Sequence, residues 1–375
     1  MLTRLDDYLV HQTPETVDHV ATSDRNFYDR YYFNAHTLDG RIFVVVAMGM
    51  YPNIGVIDAF VTCVIDGTTQ YIVRASRVLG SERLDTSAGP IRVEVLEGLQ
   101  RLRVVVEPNE HDIALDMTFE GRTFPIHEPR VFRRSGNRVT MDSTRLTQTG
   151  RWSGSLTVAG RTYDVEPETW WGARDHSWGI RGVGGAEPPS APVPATAPPG
   201  VLWMWAPAQF DRLSLLYNAF EDSTGDRWYE GASLSIHGAE GEAETLRTLS
   251  HDIKLVPGTR TFERGSFVLG RVNGTQLTIT AAPKSTIYMA GAGYVYGADL
   301  WRHGQYHAPL AVEGETWDLR GAALRQRVAG QTQTICDFTI AEMPEAGTGH
   351  GVFEFLLIGA YQPYGFSKWS DVAPG

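Results

Sequence analysis

The chain has 375 residues, 42% hydrophobic and 21% charged, with 33 basic against 44 acidic side chains and a formal charge of −11. That length exceeds what one hydrophobic core usually fills, so two domains are expected; the acidic balance, with no Lys/Arg run, disfavours a nucleic acid or an anionic membrane surface as partner. No basic region followed by an apolar run opens the chain, no stretch of ~18 apolar residues occurs, and only Cys63 and Cys336 are present, so the expectation is a cytoplasmic protein with no transmembrane segment, disulfide framework or structural zinc.

Leu2, Leu5, Leu9 and Val10 fall at near-helical spacing and predict one short packing helix. From Arg41 onward the pattern is strand. Ile42–Met48 and Ile57–Ile65 are β-branched apolar runs, the second closed by the turn pair Asp66-Gly67. Alternation follows, with Val93 and Val95, then Leu102, Val104 and Val106, then Ile113, Leu115, Met117 and Phe119 on one face of half-buried antiparallel strands. A less regular stretch holds His127, Arg130, Arg133 and Arg134. A hairpin then pairs Leu156–Val158 with Thr162–Val165 around Ala159-Gly160-Arg161 and leads into Trp170–Arg181.

Residues 187–200 carry six prolines and can only form loop or polyproline-like linker. The expected domains are therefore 1–186 and 201–375, joined by 187–200. The second half repeats the texture of the first: Val201–Trp205, Leu213–Tyr217, short strands marked by Leu234, Ile236, Ile253, Leu255, Phe267, Leu269, Leu277 and Ile279, a hairpin turn at Asn273-Gly274, and strands over Gln333–Ile340 and Val352–Ile358. The fold class expected is all-β, two antiparallel barrel or sandwich domains packed together with few short helices.

There is no GxSxG elbow and no phosphate-binding loop, and Gly291, Gly293 and Gly297 miss the dinucleotide spacing by one residue. No cofactor is expected. His303 and His307 are flanked by Gly304 and Pro309 and lack a recognisable ligand cluster, so no metal is expected either. In an extended Trp170–Arg181 segment, Arg174, His176 and Trp178 share one face while Asp175 and Ser177 take the other. His176 reads in two ways: a core histidine satisfied by backbone, or a general acid/base, since imidazole titrates near neutral pH. Asp175, on the opposite face, is expected to be structural and to pair with Arg181 or Arg130. Trp203, Trp205 and Tyr294 belong to an aromatic cluster suited to a large apolar ligand, and indole faces stabilise developing cationic carbon. That chemistry belongs to hydration, dehydration, isomerisation or cyclisation.

Arg174-Asp175-His176-Ser177-Trp178-Gly179 with Arg181 resembles the RDHSWGxR signature of the carotenoid 1,2-hydratase/AttH-like family, and Tyr31-Tyr32-Phe33-Asn34 and His350–Phe355 with Gly359 and Gly365 resemble further family text. The resemblance implies two lipocalin-like β domains packed together around an apolar pocket, a scaffold shared with tocopherol cyclase-like and Diels-Alderase-like proteins, and no nucleotide or flavin. It places the family's His-x-Trp pair on His176 and Trp178. The family's downstream Tyr-x-Asp falls on Tyr217-Asn218-Ala219, where the acid is missing.

The function expected is a cofactor-independent lyase or isomerase, of hydratase, dehydratase or cyclase type, acting on a hydrophobic terpenoid, steroid or polyketide-like molecule. The alternative is a non-catalytic lipocalin-type carrier. His176 and Tyr217 are the expected catalytic residues, Arg174, Trp178, Trp203, Trp205 and Tyr294 the substrate contacts, and Asp175 and Arg181 structural at the motif.

Overall fold

The computed structural model describes residues 1–185, 191, 197–238, 243–293, 301–328 and 330–374. Most of the Pro-rich segment at 187–200 lies outside these residues, as does Tyr294. The first half of the chain holds β1 (Phe27–Thr37), β2 (Ile42–Tyr51), β3 (Val56–Ile65), β4 (Thr69–Val78), β5 (Ser87–Ala88), β6 (Ile91–Glu97), β7 (Arg101–Val106), β8 (Ile113–Gly121), β9 (Ile126–His127), β10 (Val131–Ser135), β11 (Arg138–Val158), β12 (Arg161–Val165) and β13 (Trp170–Arg181). The second half holds β14 (Gly200–Gln209), β15 (Leu213–Asp222), β16 (Arg227–Ile236), β17 (Glu244–Leu255), β18 (Phe262–Gly270), β19 (Gln276–Tyr288), β20 (Leu310–Asp318), β21 (Gln331–Ile340) and β22 (Gly349–Gly359). The expected all-β class is found, with two barrel-like sheets and few short helices.

Strands β14 to β19 close into a barrel through β21 and β22. The first sheet runs β20-β4-β3-β2-β1-β13-β11-β8-β7-β6-β5 and stays open at one seam. The seam has a local cause. β20, from the second half of the chain, occupies the free edge of β4 over its full length, so β5 cannot pair there. Arg77 bridges the gap instead, donating from Nε to the Ser87 carbonyl at 2.8 Å.

Each barrel has its own apolar core, and a third core fills the space between them. The uninterrupted apolar runs follow from this arrangement. Along β2, Val44, Val46 and Met48 point into the first barrel while Phe43, Val45 and Ala47 point into the interdomain core, and all ten residues are buried. With no solvent side, alternation disappears from the sequence. β14 divides likewise, sending Leu202, Met204 and Ala206 inward and Trp203 and Trp205 outward.

Two expectations are corrected. Residues 2–10 form only a single 3-10 turn, Arg4–Asp7, with nothing buried and Leu2 and Leu9 exposed. Asp6 accepts hydrogen bonds from the Thr3 and Val17 amides, which holds the segment as a folded loop rather than a helix with an apolar face. β1 is a long strand that the apolar pattern hides, because Asp29, Arg30, Asn34 and His36 interrupt it.

Polar anchors fix the barrels to one another. Gln209, buried on β14, donates through Nε2 to the carbonyls of Gly150 and Gly172 at 2.9 and 2.7 Å. Gln70 and Tyr288 exchange two bonds of 3.0 Å. Replacing Gln209 with Leu keeps the volume but leaves both carbonyls without a donor, which should lower unfolding free energy by about 2–3 kcal/mol in urea titration. A loss below ~0.5 kcal/mol would show that the anchor does not hold the join.

Candidate active site between the barrels

A cavity of about 730 Å³ opens between the two barrels. From the first barrel, β1 contributes Tyr28, Arg30 and Tyr32, β11 Ser143 and Arg145, and β13 Asp175 and Ser177. From the second, β14 contributes Trp203, β15 Phe220, β16 Trp228, and β22 Glu354 and Leu356. Each set comes from alternate residues of its strand, because only one face of each strand points between the barrels.

The apolar wall is aromatic. Trp203 packs on Phe220 at 4.2 Å between ring centroids, and Phe220 stacks on Trp228 at 4.8 Å and 14°. Guanidinium groups lie over three of the rings: Arg145 over Trp203 at 5.0 Å, Arg133 over Trp228 at 4.7 Å and Arg181 over Tyr28 at 5.1 Å. Such contacts are worth about 0.5–1 kcal/mol when exposed and more when desolvated.

Three carboxylates lie in or beneath this cavity, and their surroundings differ. Glu128, fully buried behind the wall, accepts bonds from Thr147, from Trp205 Nε1 at 3.3 Å and from the Tyr229 hydroxyl at 3.1 Å, and lies 3.5 Å from Arg145 Nη1. Glu354 accepts from Trp203 Nε1 and Gln333 Nε2, each at 3.0 Å, and from Gln331. Asp175 has no side-chain hydrogen bond among the described residues. Burial pushes its carboxyl up to about 6, against the opposing pull of Arg145 and with a further upward contribution from Glu128. Asp58 is also raised to about 6 by burial. It accepts from the Tyr51 hydroxyl at 3.1 Å and the Gly304 amide at 2.6 Å, and it does not line the cavity. Asp175 is thus the carboxyl that combines a displaced pKa, an open hydrogen-bonding capacity and access to the cavity.

The period-two reading of Trp170–Arg181 describes β13 as it folds, and it separates the expected residues. Arg174, His176 and Trp178 face the interior side of the first barrel. His176 Nε2 donates to Asp29 Oδ1 at 2.7 Å, and its ring lies 4.6 Å from Tyr31 and 5.2 Å from Trp178. Arg174 is buried there, donating to Gln148 at 2.8 Å, and desolvation lowers its pKa to about 10. Tyr217 lies sealed in the second barrel against Phe267, its hydroxyl displaced upward by burial. His176 and Tyr217 therefore occupy the interiors of different barrels, and neither lines the cavity. Ala219, where the family acid would stand, also packs in the second core.

Trp203 lines the cavity, whereas Trp205 sits behind it, edge-on to Tyr32 at 5.6 Å. Arg181 lines the cavity and Arg130 forms a two-bond pair with Asp142, so Asp175 bonds to neither. Tyr294 lies outside the described residues. Sequence reasoning did not single out Arg30, Glu128 or Arg145. Glu354 left two traces, a lone charge inside the apolar run Val352–Ile358 and a place in the family-like stretch His350–Phe355, but no role was assigned to it.

Glu128→Gln keeps the shape of the side chain while removing the charge facing Arg145. Chemical denaturation should show a loss of about 3 kcal/mol, since an uncompensated buried guanidinium remains; an unchanged midpoint would show that Arg145 does not depend on it.

The comparisons agree with this architecture. A provisionally assigned AttH from Nitrosomonas europaea superposes with a TM-score of 0.52 at 15% identity, covering 90% of this chain and 94% of its own. CghA, solved in complex with Sch210972, superposes with a TM-score of 0.52 at 9% identity, covering 90% and 89%. These likenesses concern the fold. No curated protein matches the chain. The family model of DUF8625, a family of unknown function, matches residues 2–367, and the chain belongs to that family.

Proposed function

We propose that the chain is a cofactor-independent lyase or isomerase, of hydratase, dehydratase or cyclase type, that moves a proton on a hydrophobic small molecule held between the barrels. Asp175 carries the proton. The supporting observation is the state of that carboxyl: facing the cavity, unbonded, and displaced to about 6 by burial. A carrier needs the same aromatic cavity but gains nothing from a half-buried carboxyl that faces it without a hydrogen-bond partner among the described residues. The proton-transfer role expected of His176 passes, in this proposal, to its neighbour on the other face.

The chemistry follows from the charges around Asp175. Its carboxylate takes a proton from carbon next to a substrate carbonyl; the C–H electron pair moves into the adjacent C–C bond, and the oxygen becomes anionic. Arg30 and Arg145 stabilise that oxygen as charge develops. Protonated Asp175 then returns the proton. Delivered to a β-hydroxyl as the oxyanion collapses, it releases water and leaves an alkene; delivered to another carbon, it completes an isomerisation. Trp203, Phe220 and Trp228 hold a flat terpenoid, steroid or polyketide-like body in place and exclude water.

Candidate carbonyl compounds can be screened by mass spectrometry for gain or loss of water, or for isomer formation. Asp175→Asn should lower kcat by roughly a hundredfold or more, with ligand affinity retained within a few fold. His176→Ala should leave kcat within about threefold while costing about 1 kcal/mol of stability through the lost Asp29 contact. The reverse pattern would assign the proton to His176 and sink this reading.

The pH dependence has a definite sign. With Asp175 ionised as the base, kcat/KM rises through pH about 6. Because the folded-state pKa lies above the ordinary value, the folded chain binds the extra proton between about pH 4 and 6, and stability falls as pH rises through that window. Asp175→Asn should therefore be more stable than the parent at pH 7, on the order of 1–2 kcal/mol, with the gap closing towards pH 4. A gap that stays constant with pH would mean the carboxyl is not desolvated.

A further inference from the structure

The charge of the cavity is opposite to that of the chain. Against an overall formal charge of −11, six arginines line it, Arg30, Arg133, Arg134, Arg145, Arg181 and Arg302, beside the carboxylates Asp175 and Glu354. Glu354 is already occupied by Trp203, Gln331 and Gln333. Arg133, Arg134 and Arg181 have no carboxylate within ion-pairing distance among the described residues. Each lies instead over an aromatic ring, Trp228, Phe132 and Tyr28. A guanidinium stacked on a ring uses its face and keeps its in-plane N–H groups for a planar anion, although Arg134 already donates one, from Nη1, to the Asn137 carbonyl at 3.2 Å. Deeper in, Arg145 Nε is buried with no hydrogen-bond partner among the described residues.

Like charges brought together at the mouth of an aromatic cavity repel one another, and among the described residues no carboxylate pairs with Arg133, Arg134 or Arg181 to offset them. From this arrangement we infer that the ligand is an anionic amphiphile. Its flat apolar body lies between Trp203, Phe220 and Trp228, and its carboxylate, enolate or comparable acid group meets Arg133, Arg134 and Arg181 at the mouth. A neutral hydrocarbon ligand would leave those cations unmatched. The inference rests on the reading of the cavity as the ligand site and adds the charge class of what enters it.

Two dyes with the same aromatic body separate the charge from the shape: 8-anilinonaphthalene-1-sulfonate, an anion, and N-phenyl-1-naphthylamine, which is uncharged. Bound to the full chain at low ionic strength and followed by fluorescence, the anion should bind at least about tenfold more tightly, and that preference should shrink as salt is raised to about 0.5 M. The triple variant Arg133→Gln, Arg134→Gln, Arg181→Gln should lose the preference while binding the neutral dye as the parent does, which also reports an intact cavity. Should the triple variant not fold, the salt series on the parent chain decides alone. Equal binding of the two dyes, or a preference that survives the triple replacement or high salt, overturns the inference.

Asp175→Asn separates this inference from the catalytic reading. Removing the negative charge should keep or tighten binding of the anionic dye while turnover is lost. Loss of turnover without any anion preference overturns the charge inference and leaves the acid/base reading standing. Anion preference with turnover intact does the opposite.

Discussion

A strand packed between two layers has no solvent side, and its period of two then decides which of two chemistries each residue serves. In β13, one residue in two enters the first barrel, where Arg174 meets Gln148 and His176 meets Asp29. The others enter the space between the barrels, where Asp175 and Ser177 line the cavity. β1 obeys the same rule, with Asp29 and Tyr31 on one side and Tyr28, Arg30 and Tyr32 on the other. The cavity is therefore made from half of each of several strands, and a register slip of one residue would exchange the two sets.

Charge between the barrels is tolerated to the extent that it is bonded. Glu128 gathers four side-chain hydrogen-bond donors, Arg145 among them, and Glu354 three, so their desolvation is offset and they act as fixed negative points in an otherwise apolar layer. Asp175 has no such donor among the described residues, and burial raises its carboxyl to about 6. Around these groups the interdomain core is apolar, built from residues such as Phe43, Trp205, Leu216 and Val352. That division, bonded acids for structure and one unbonded acid for chemistry, is what the proposed mechanism uses.

The chain is also tied across the two barrels covalently and by pairing. β20 belongs to the second half in sequence yet completes the edge of β4 in the first sheet. The same strand leaves the first barrel open at its seam, because an edge already paired cannot close. Solved structures at 15% and 9% identity share this overall architecture, so the layered arrangement tolerates nearly complete replacement of side chains. Fold and chemistry are separable here, and the chemistry has to be read from the cavity itself.

The all-β class and most strands were legible in sequence, because alternation in β6 to β8 and unbroken apolar runs in β2 and β3 are direct records of half-buried and fully buried strands. The opposition of Asp175 and His176 was legible too, since it follows from the period of an extended chain. β1 was hidden by Arg30, Asn34 and His36, polar residues whose burial only the finished interface provides. Which face of β13 would meet the cavity could not be read locally: each face carries a buried residue, Arg174 on one and Ser177 on the other, and the choice depends on where the second barrel docks. Long-range packing likewise decided that Tyr217 turns into the second core, that Arg145 settles over Trp203, and that Asp175 is left without a donor. Sequence by itself determined the strands and their two faces; the docking of two barrels, by desolvating one face and enclosing the other, decided which face became a site.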